Sequence, residues 1–196
     1  MGVDYGDTLV VISYHPHSTY QNAVAVAREA FYNTGYTTPF VIFDGKHAVW
    51  EQSQANYVSV FRQAVEIGRT DPIFFDLEVD SITSDSMTGS FHLRIIATFT
   101  VPERDINACI AVLEDSLPGA FTTFISVCDT LYDFPLEIAY QDTFDTTITF
   151  EHSIEPNRMK AVIFVQDMDS LYVYAAKRIQ FTADTVLSIL RSGSVQ

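Results

Sequence analysis

Apolar residues come in two textures along this chain. The first 70 residues alternate short continuous runs with spaced ones. Leu9-Val10-Val11-Ile12 sits inside Thr8–Tyr14 as a continuous run, the pattern of a strand buried on both faces. His15-Pro16-His17-Ser18-Thr19 breaks it. From Asn22 to Tyr32 the apolar positions Ala23, Val26, Ala27, Ala30 and Phe31 recur every three or four residues, which predicts a helix with that face buried. Asn33-Thr34-Gly35 ends it, with Gly35 as the expected left-handed cap. Phe40–Phe43 predicts a second strand, Asp44-Gly45 a tight turn, and His47–Glu51 a returning strand. A second helix is expected from Gln54 to Ile67, with Tyr57, Val58, Phe61, Ala64 and Val65 on one face. Gly68-Arg69-Thr70-Asp71-Pro72 then stops the helix and forms a linker.

After Pro72 the texture changes to short alternating segments rich in Thr, Val, Ile, Phe and Tyr. They are Phe74–Ile82, Ser90–Thr100, Asn107–Glu114, Phe121–Cys128, Leu136–Tyr140, Thr146–Glu151, Lys160–Gln166 and Tyr172–Gln180, with Asp, Ser, Gly and Pro between them. This spacing predicts an immunoglobulin-like β-sandwich over 71–182. Residues 183–196 form a tail in which Val186, Leu187, Ile189 and Leu190 are an apolar patch that must pack on this chain or on a neighbour.

Charge sharpens the division. The formal net charge is −14, of which residues 1–70 carry −2 and residues 71–182 carry −12. A boundary near residue 70 follows. The excess of acid opposes binding to a nucleic-acid backbone or an anionic lipid surface. No apolar run reaches the roughly 18–20 residues needed to cross a membrane, and the acidic start Met1–Asp7 does not read as a signal peptide. The expected partner is therefore another protein, or a second copy of the chain.

Candidate chemistry is sparse. His15 and His17 follow the first predicted strand, at a strand end where α/β sheets bind ligands. His-x-His can ligate a metal, but no further ligands stand at firm spacing, and the expectation is a polar loop with no metal and no cofactor. Cys109 and Cys128 lie on segments expected to be neighbouring strands; a disulfide and a pair of buried thiols are equal alternatives. Asp80, Asp85, Asp129, Asp133, Asp142, Asp145, Asp167 and Asp169 read as turn formers rather than calcium ligands. Gly-x-Ser-x-Gly, phosphate-loop and Gly-x-Gly-x-x-Gly motifs are absent.

The stretch "TTPF" resembles the cis-proline loop of the thioredoxin fold, with Thr38 and Pro39 as its binding residues. "LVVISYHP" followed by "YTTPFVIFDGK" resembles bacterial cell-envelope thioredoxin-like proteins, including outer-membrane lipoproteins with a C-terminal all-β domain. "AVIFVQDMDSLYVYAAKRIQF" resembles the last hairpin of that β domain, with Asp167-Met168-Asp169 at its turn. The resemblance implies an α+β protein of two domains, a truncated thioredoxin-like α/β unit at 1–70 and the sandwich at 71–182. Redox-active members carry CxxC on an earlier strand–helix unit that has no counterpart here, so no thiolate is expected to exchange disulfides. The implied function is a redox-inactive structural or interaction protein of the bacterial cell surface, one form being self-assembly by strand complementation through the apolar tail. The alternatives are a fragment of a thiol–disulfide oxidoreductase whose CxxC lies upstream, and an adhesion or carbohydrate-binding module.

Overall fold

Strict alternation of burial along a strand marks a sheet with one wet face. The clearest case is β4 (Thr88–Ala97), where Gly89, Phe91, Leu93, Ile95 and Ala97 point into the core and Thr88, Ser90, His92, Arg94 and Ile96 point outward. The computed structural model describes residues 9–34, 40–50, 56–100, 105–118 and 124–181. In it β4 lies between β3 (Phe75–Ser84) and β7 (Thr143–Glu151) in a three-stranded sheet. Facing it is a four-stranded sheet in the order β6-β5-β8-β9, built from β5 (Ile106–Pro118), β6 (Phe124–Pro135), β8 (Met159–Asp167) and β9 (Val173–Gln180). All neighbours pair antiparallel. The two inner faces share one core that includes Phe75, Phe91, Leu93, Ile95, Ile110, Val112, Met159, Ile163 and Phe181. The predicted β-sandwich is present.

Leu136–Tyr140 is not one of its strands. β6 continues to Pro135, past the predicted end at Cys128, and the chain then crosses from one sheet to the other. Leu136 is buried in the crossing, and its N–H donates to the Ile106 carbonyl at 2.8 Å. Its apolar pattern reports burial, not ladder pairing.

The first 70 residues overturn the α+β expectation. The described residues contain no thioredoxin-like α/β unit and no parallel strand pair; they are mostly antiparallel β with two α-helices, α1 (Ala23–Tyr32) and α2 (Tyr57–Gly68). Leu9–Tyr14 joins no ladder. It runs extended, and its Val10, Ile12 and Tyr14 pack against Cys109, Ala111, Leu113, Cys128, Val162 and Phe164 on the outer face of the four-stranded sheet. Val11 between them is 59% exposed. The continuous apolar run is thus a one-sided contact in which side chains, rather than backbone, find partners. A single main-chain bond, Cys128 N–H to the Ser13 carbonyl at 3.1 Å, ties it to the edge strand β6.

Helix α1 lies on the same outer face. Asn22 caps its start, accepting from the Ala25 N–H, and Asn33 ends it with φ of 49°, so the left-handed cap falls two residues before Gly35. The buried positions also differ from the expected ones. Ala25 and Arg28 are buried and Val24, Phe31 and Tyr32 are half-buried, whereas Ala23, Val26, Ala27 and Ala30 are exposed. The helix is rotated because its aromatic and basic side chains have specific partners on the sheet, and small apolar residues tolerate water at little cost.

With both faces of the four-stranded sheet covered, β5 and β8 become nearly continuous buried runs. The sheet's free outer face is claimed by the segment that sequence periodicity assigned to a separate sheet.

The hairpin of β1 (Phe40–Phe43) and β2 (His47–Trp50) joins the sandwich through its turn. Three residues join Phe43 to its partner His47; Asp44 and Gly45 both have positive φ, 49° and 74°, as the central positions of a primed turn require, and the Lys46 N–H closes it on the Phe43 carbonyl at 3.2 Å. The turn presses on the β8–β9 loop. The Val173 N–H donates to the Asp44 carbonyl at 2.9 Å, and a Cβ on Gly45 would collide with the Leu171 carbonyl. Lys46 donates to Asp71 at 2.9 Å and sits 3.8 Å above the Tyr172 ring, whose hydroxyl donates to Asp71 at 3.0 Å. Gly45→Ala should therefore cost about 1–3 kcal/mol, from strained φ and backbone collision together, read as a lower urea midpoint.

Candidate functional site

Arg28 is the least expected residue of the outer face. It is only 5% exposed, though arginine is almost never fully buried unless paired. Its guanidinium carbon lies 4.7 Å from the Phe31 ring centroid, 5.4 Å from Tyr32 and 5.6 Å from Phe164. Nη2 donates to Gln166 Oε1 at 3.1 Å. Gln166, fully buried on β8, in turn donates to the Tyr32 hydroxyl at 3.0 Å and the Leu171 carbonyl at 2.7 Å. Burial pushes the Tyr14 hydroxyl well above its ordinary pKa. Among the described residues no carboxylate forms a salt bridge with Arg28, and its buried Nε–H has no hydrogen-bond partner.

Beside it, Val24, Ala27, Arg28, Phe31, Leu131 and Asp133 line a pocket of about 290 Å³ between α1 and β6. Asp133 sits at the exposed rim, where it accepts from Asn107 Nδ2 at 3.0 Å; the other side-chain atom of that amide, Oδ1, is buried without a partner. Sequence reasoning missed this site because a lone arginine in a helix reads as surface. The available signal was Arg28 with Phe31 and Tyr32 at three- and four-residue spacing, which stacks the rings under the guanidinium.

The predicted site residues do not converge. His15 bonds the Ser126 carbonyl at 3.3 Å, and His17 pairs with Glu29 at 2.6 Å. Both serve to dock the loop before α1. Among the described residues no group of three or more His, Cys, Asp or Glu side chains is placed to hold a metal ion. Thr38 and Pro39, with the expected cis-proline loop, lie outside the described residues, as do Val186, Leu187, Ile189 and Leu190.

Cys109 and Cys128 are free thiols, both buried. They do lie on adjacent strands, but Cys109 faces Asp133 and Cys128 faces Leu113. That offset of four residues is about 13 Å along the ladder, against the ~4.4–6.8 Å between Cα atoms that a disulfide spans. Burial pushes both thiols up to about 12, the opposite of a reactive cysteine.

The outward face of the three-stranded sheet carries a second cluster. His92 Nε2 lies 2.7 Å from Asp145 and Nδ1 lies 3.4 Å from Asp80. Arg94 bridges Asp145 at 3.1 Å and Glu78 at 2.7 Å. Asp80 and Asp145 thus stand on a sheet face as ion-pair partners. Asp85 and Asp167, by contrast, accept local backbone N–H groups in turns, as expected.

The hydrogen bond to Asp145, with the neighbouring carboxylate charges, raises the His92 pKa above its ordinary value. A raised folded pKa means the cluster contributes fully below the unfolded histidine value of about 6.5. That contribution fades as pH rises through the higher folded value. The stability advantage of wild type over His92→Gln should accordingly be larger at pH 5.5 than at pH 8.5, in paired urea titrations at low salt. Asp145, held below the usual carboxylate range by His92 and Arg94, stays ionised across that window.

The chain matches no protein-family model and no curated protein. Among solved structures, HBP35 of Porphyromonas gingivalis aligns with a TM-score of 0.54 and 9% identity, over 63% of this chain and 46% of that one. The chain therefore spans less than half the length of HBP35. A domain of the outer membrane lipoprotein Omp28 from Porphyromonas gingivalis aligns with a TM-score of 0.37 and 13% identity, over 57% of this chain and 91% of that one. A beta-glucosidase from Kluyveromyces marxianus reaches a TM-score of 0.32 at 11% identity, over 54% of this chain and 14% of that one. The first of these likenesses is one of fold.

Proposed function

We propose that this chain is a structural or interaction protein of a bacterial cell surface. The observation that carries the reading is the division of labour between the two sheets. The outer face of the four-stranded sheet is covered by residues of the same chain. The outer face of the three-stranded sheet presents a regular array of polar side chains held in register by ion pairs. Such a face is rigid before contact, so little ordering entropy is lost when a partner docks.

The fold likeness to a bacterial protein, HBP35, supports the setting. So does the resemblance of residues 161–181 to the last hairpin of cell-envelope β domains. In this reading residues 71–182 are the working module, one face of which residues 9–32 cover, and the partner is a protein with a basic surface to match the acidic module. The buried thiols support a role without disulfide exchange.

The test is surface labelling of intact cells of the source bacterium with a membrane-impermeant amine reagent. Labelling of the native protein on unbroken cells is expected. Labelling only after lysis would overturn the reading.

A further inference from the structure

Among the described residues Arg28 is a buried cation with no carboxylate partner. The three rings around Arg28 offset part of its lost hydration. The neutral Gln166 amide, whose oxygen accepts from it, offsets more. Neither supplies the opposite charge that a desolvated guanidinium ordinarily has. Arg28 lines an open pocket, and the rest of that lining divides by chemistry. Val24, Ala27, Phe31 and Leu131 are apolar, and Asp133 is an exposed carboxylate positioned by Asn107.

We propose that this pocket binds a free α-amino acid with an apolar side chain. The carboxylate meets Arg28, the ammonium meets Asp133, and the side chain lies against Val24, Phe31 and Leu131. Three alternatives fit less well. A plain carboxylate would satisfy Arg28 but bring a second negative charge into a pocket that Asp133 already lines. A plain amine would satisfy Asp133 and be repelled by Arg28. An uncharged apolar guest would leave the guanidinium facing hydrocarbon, which burial makes more costly still. A zwitterion matches both charges at once. The pocket's size suits a small guest: about 290 Å³ lies just under the ~300–1,000 Å³ typical of pockets for drug-sized ligands. The site is independent of the exposed sheet face and of the cell-surface reading.

The experiment is isothermal titration of the full chain with three probes that share one carbon skeleton. They are L-leucine, 4-methylpentanoate without the amine, and 3-methylbutylamine without the carboxylate. Leucine is expected to bind at one site, each analogue about 10-fold or more weaker. Asp133→Asn, a change at an exposed position, should weaken leucine about 10-fold while strengthening 4-methylpentanoate, because the repulsion is gone. Arg28→Lys keeps the charge but loses the planar fork, and should weaken leucine and 4-methylpentanoate alike. The proposal is overturned if leucine shows no binding at about 10 mM, where a Kd tighter than ~1 mM would be evident. It is also overturned if 4-methylpentanoate binds as well as leucine, or if Asp133→Asn, shown folded by circular dichroism, leaves leucine affinity unchanged.

Discussion

Gln166→Leu should destabilise the protein by about 2–5 kcal/mol, because one buried amide serves three partners and leucine serves none of them. Gln166 is fully buried. Its oxygen accepts from Arg28, and its nitrogen donates to the Tyr32 hydroxyl and the Leu171 carbonyl. Leucine has similar volume, so no large cavity forms; the cost is the desolvated groups left behind, above all a buried guanidinium. The change should appear as a lower denaturation midpoint with an unchanged denaturant slope. It should also appear locally, as faster amide exchange in α1 than in β4, since Gln166 bonds both Arg28 and Tyr32 of that helix. A loss below about 1 kcal/mol would mean that stacking alone holds α1 on the sheet.

Phe91→Ala should cost about 3–5 kcal/mol, the range for deleting a fully buried phenylalanine. Phe91 is 0% exposed on the central strand of the three-stranded sheet. Its ring lies 6.3 Å from that of Phe150, which lies 5.9 Å from Phe181 and 6.3 Å from Tyr132. Gly89 on the same strand is already filled from across the sheet, since a Cβ there would strike the Phe150 ring. The cavity therefore lies within a chain of interlocked rings that cannot collapse inward without losing its edge contacts. Val11→Ala, at a position 59% exposed, is the control and should move stability by no more than about 0.5 kcal/mol.

These two sites differ in how far the sequence announced them. Phe91 sits in Ser90–Thr100, where period-two alternation and β-branched residues mark a half-buried strand, and the core face follows from the pattern alone. Gln166 ends a predicted strand, but nothing in "VIFVQDMD" tells that its amide is buried or that its partner lies 138 residues earlier. The same holds for Arg28. Helical periodicity placed Ala23, Val26, Ala27, Ala30 and Phe31 inward; the helix instead turned toward 24, 25, 28, 31 and 32 to lay a guanidinium among three rings. Local pattern ranks side chains by hydrophobicity, whereas a cation–π stack and a buried amide depend on what another element brings.

The sequence by itself determined the sandwich. Seven of its eight proposed strand segments overlap observed strands, because alternation between a core face and a wet face is a property of each strand alone. It likewise determined the Asp44-Gly45 turn, since a primed hairpin turn needs positive φ at both positions and few residue pairs supply it. The tertiary structure decided what residues 9–32 do. An apolar run such as Leu9–Ile12 records that it is to be kept from water, not whether backbone or side chains will do the covering. Only the presence of an uncovered apolar face on the four-stranded sheet turned that run from a strand of its own sheet into a strap across another's, with α1 and Arg28 carried in beside it. The sequence left Cys109 and Cys128 open between a disulfide and a pair of buried thiols, and the structure decided for the thiols; the pocket that Arg28 and Asp133 share likewise arises from two elements more than 100 residues apart. No window along the chain contains both halves of it.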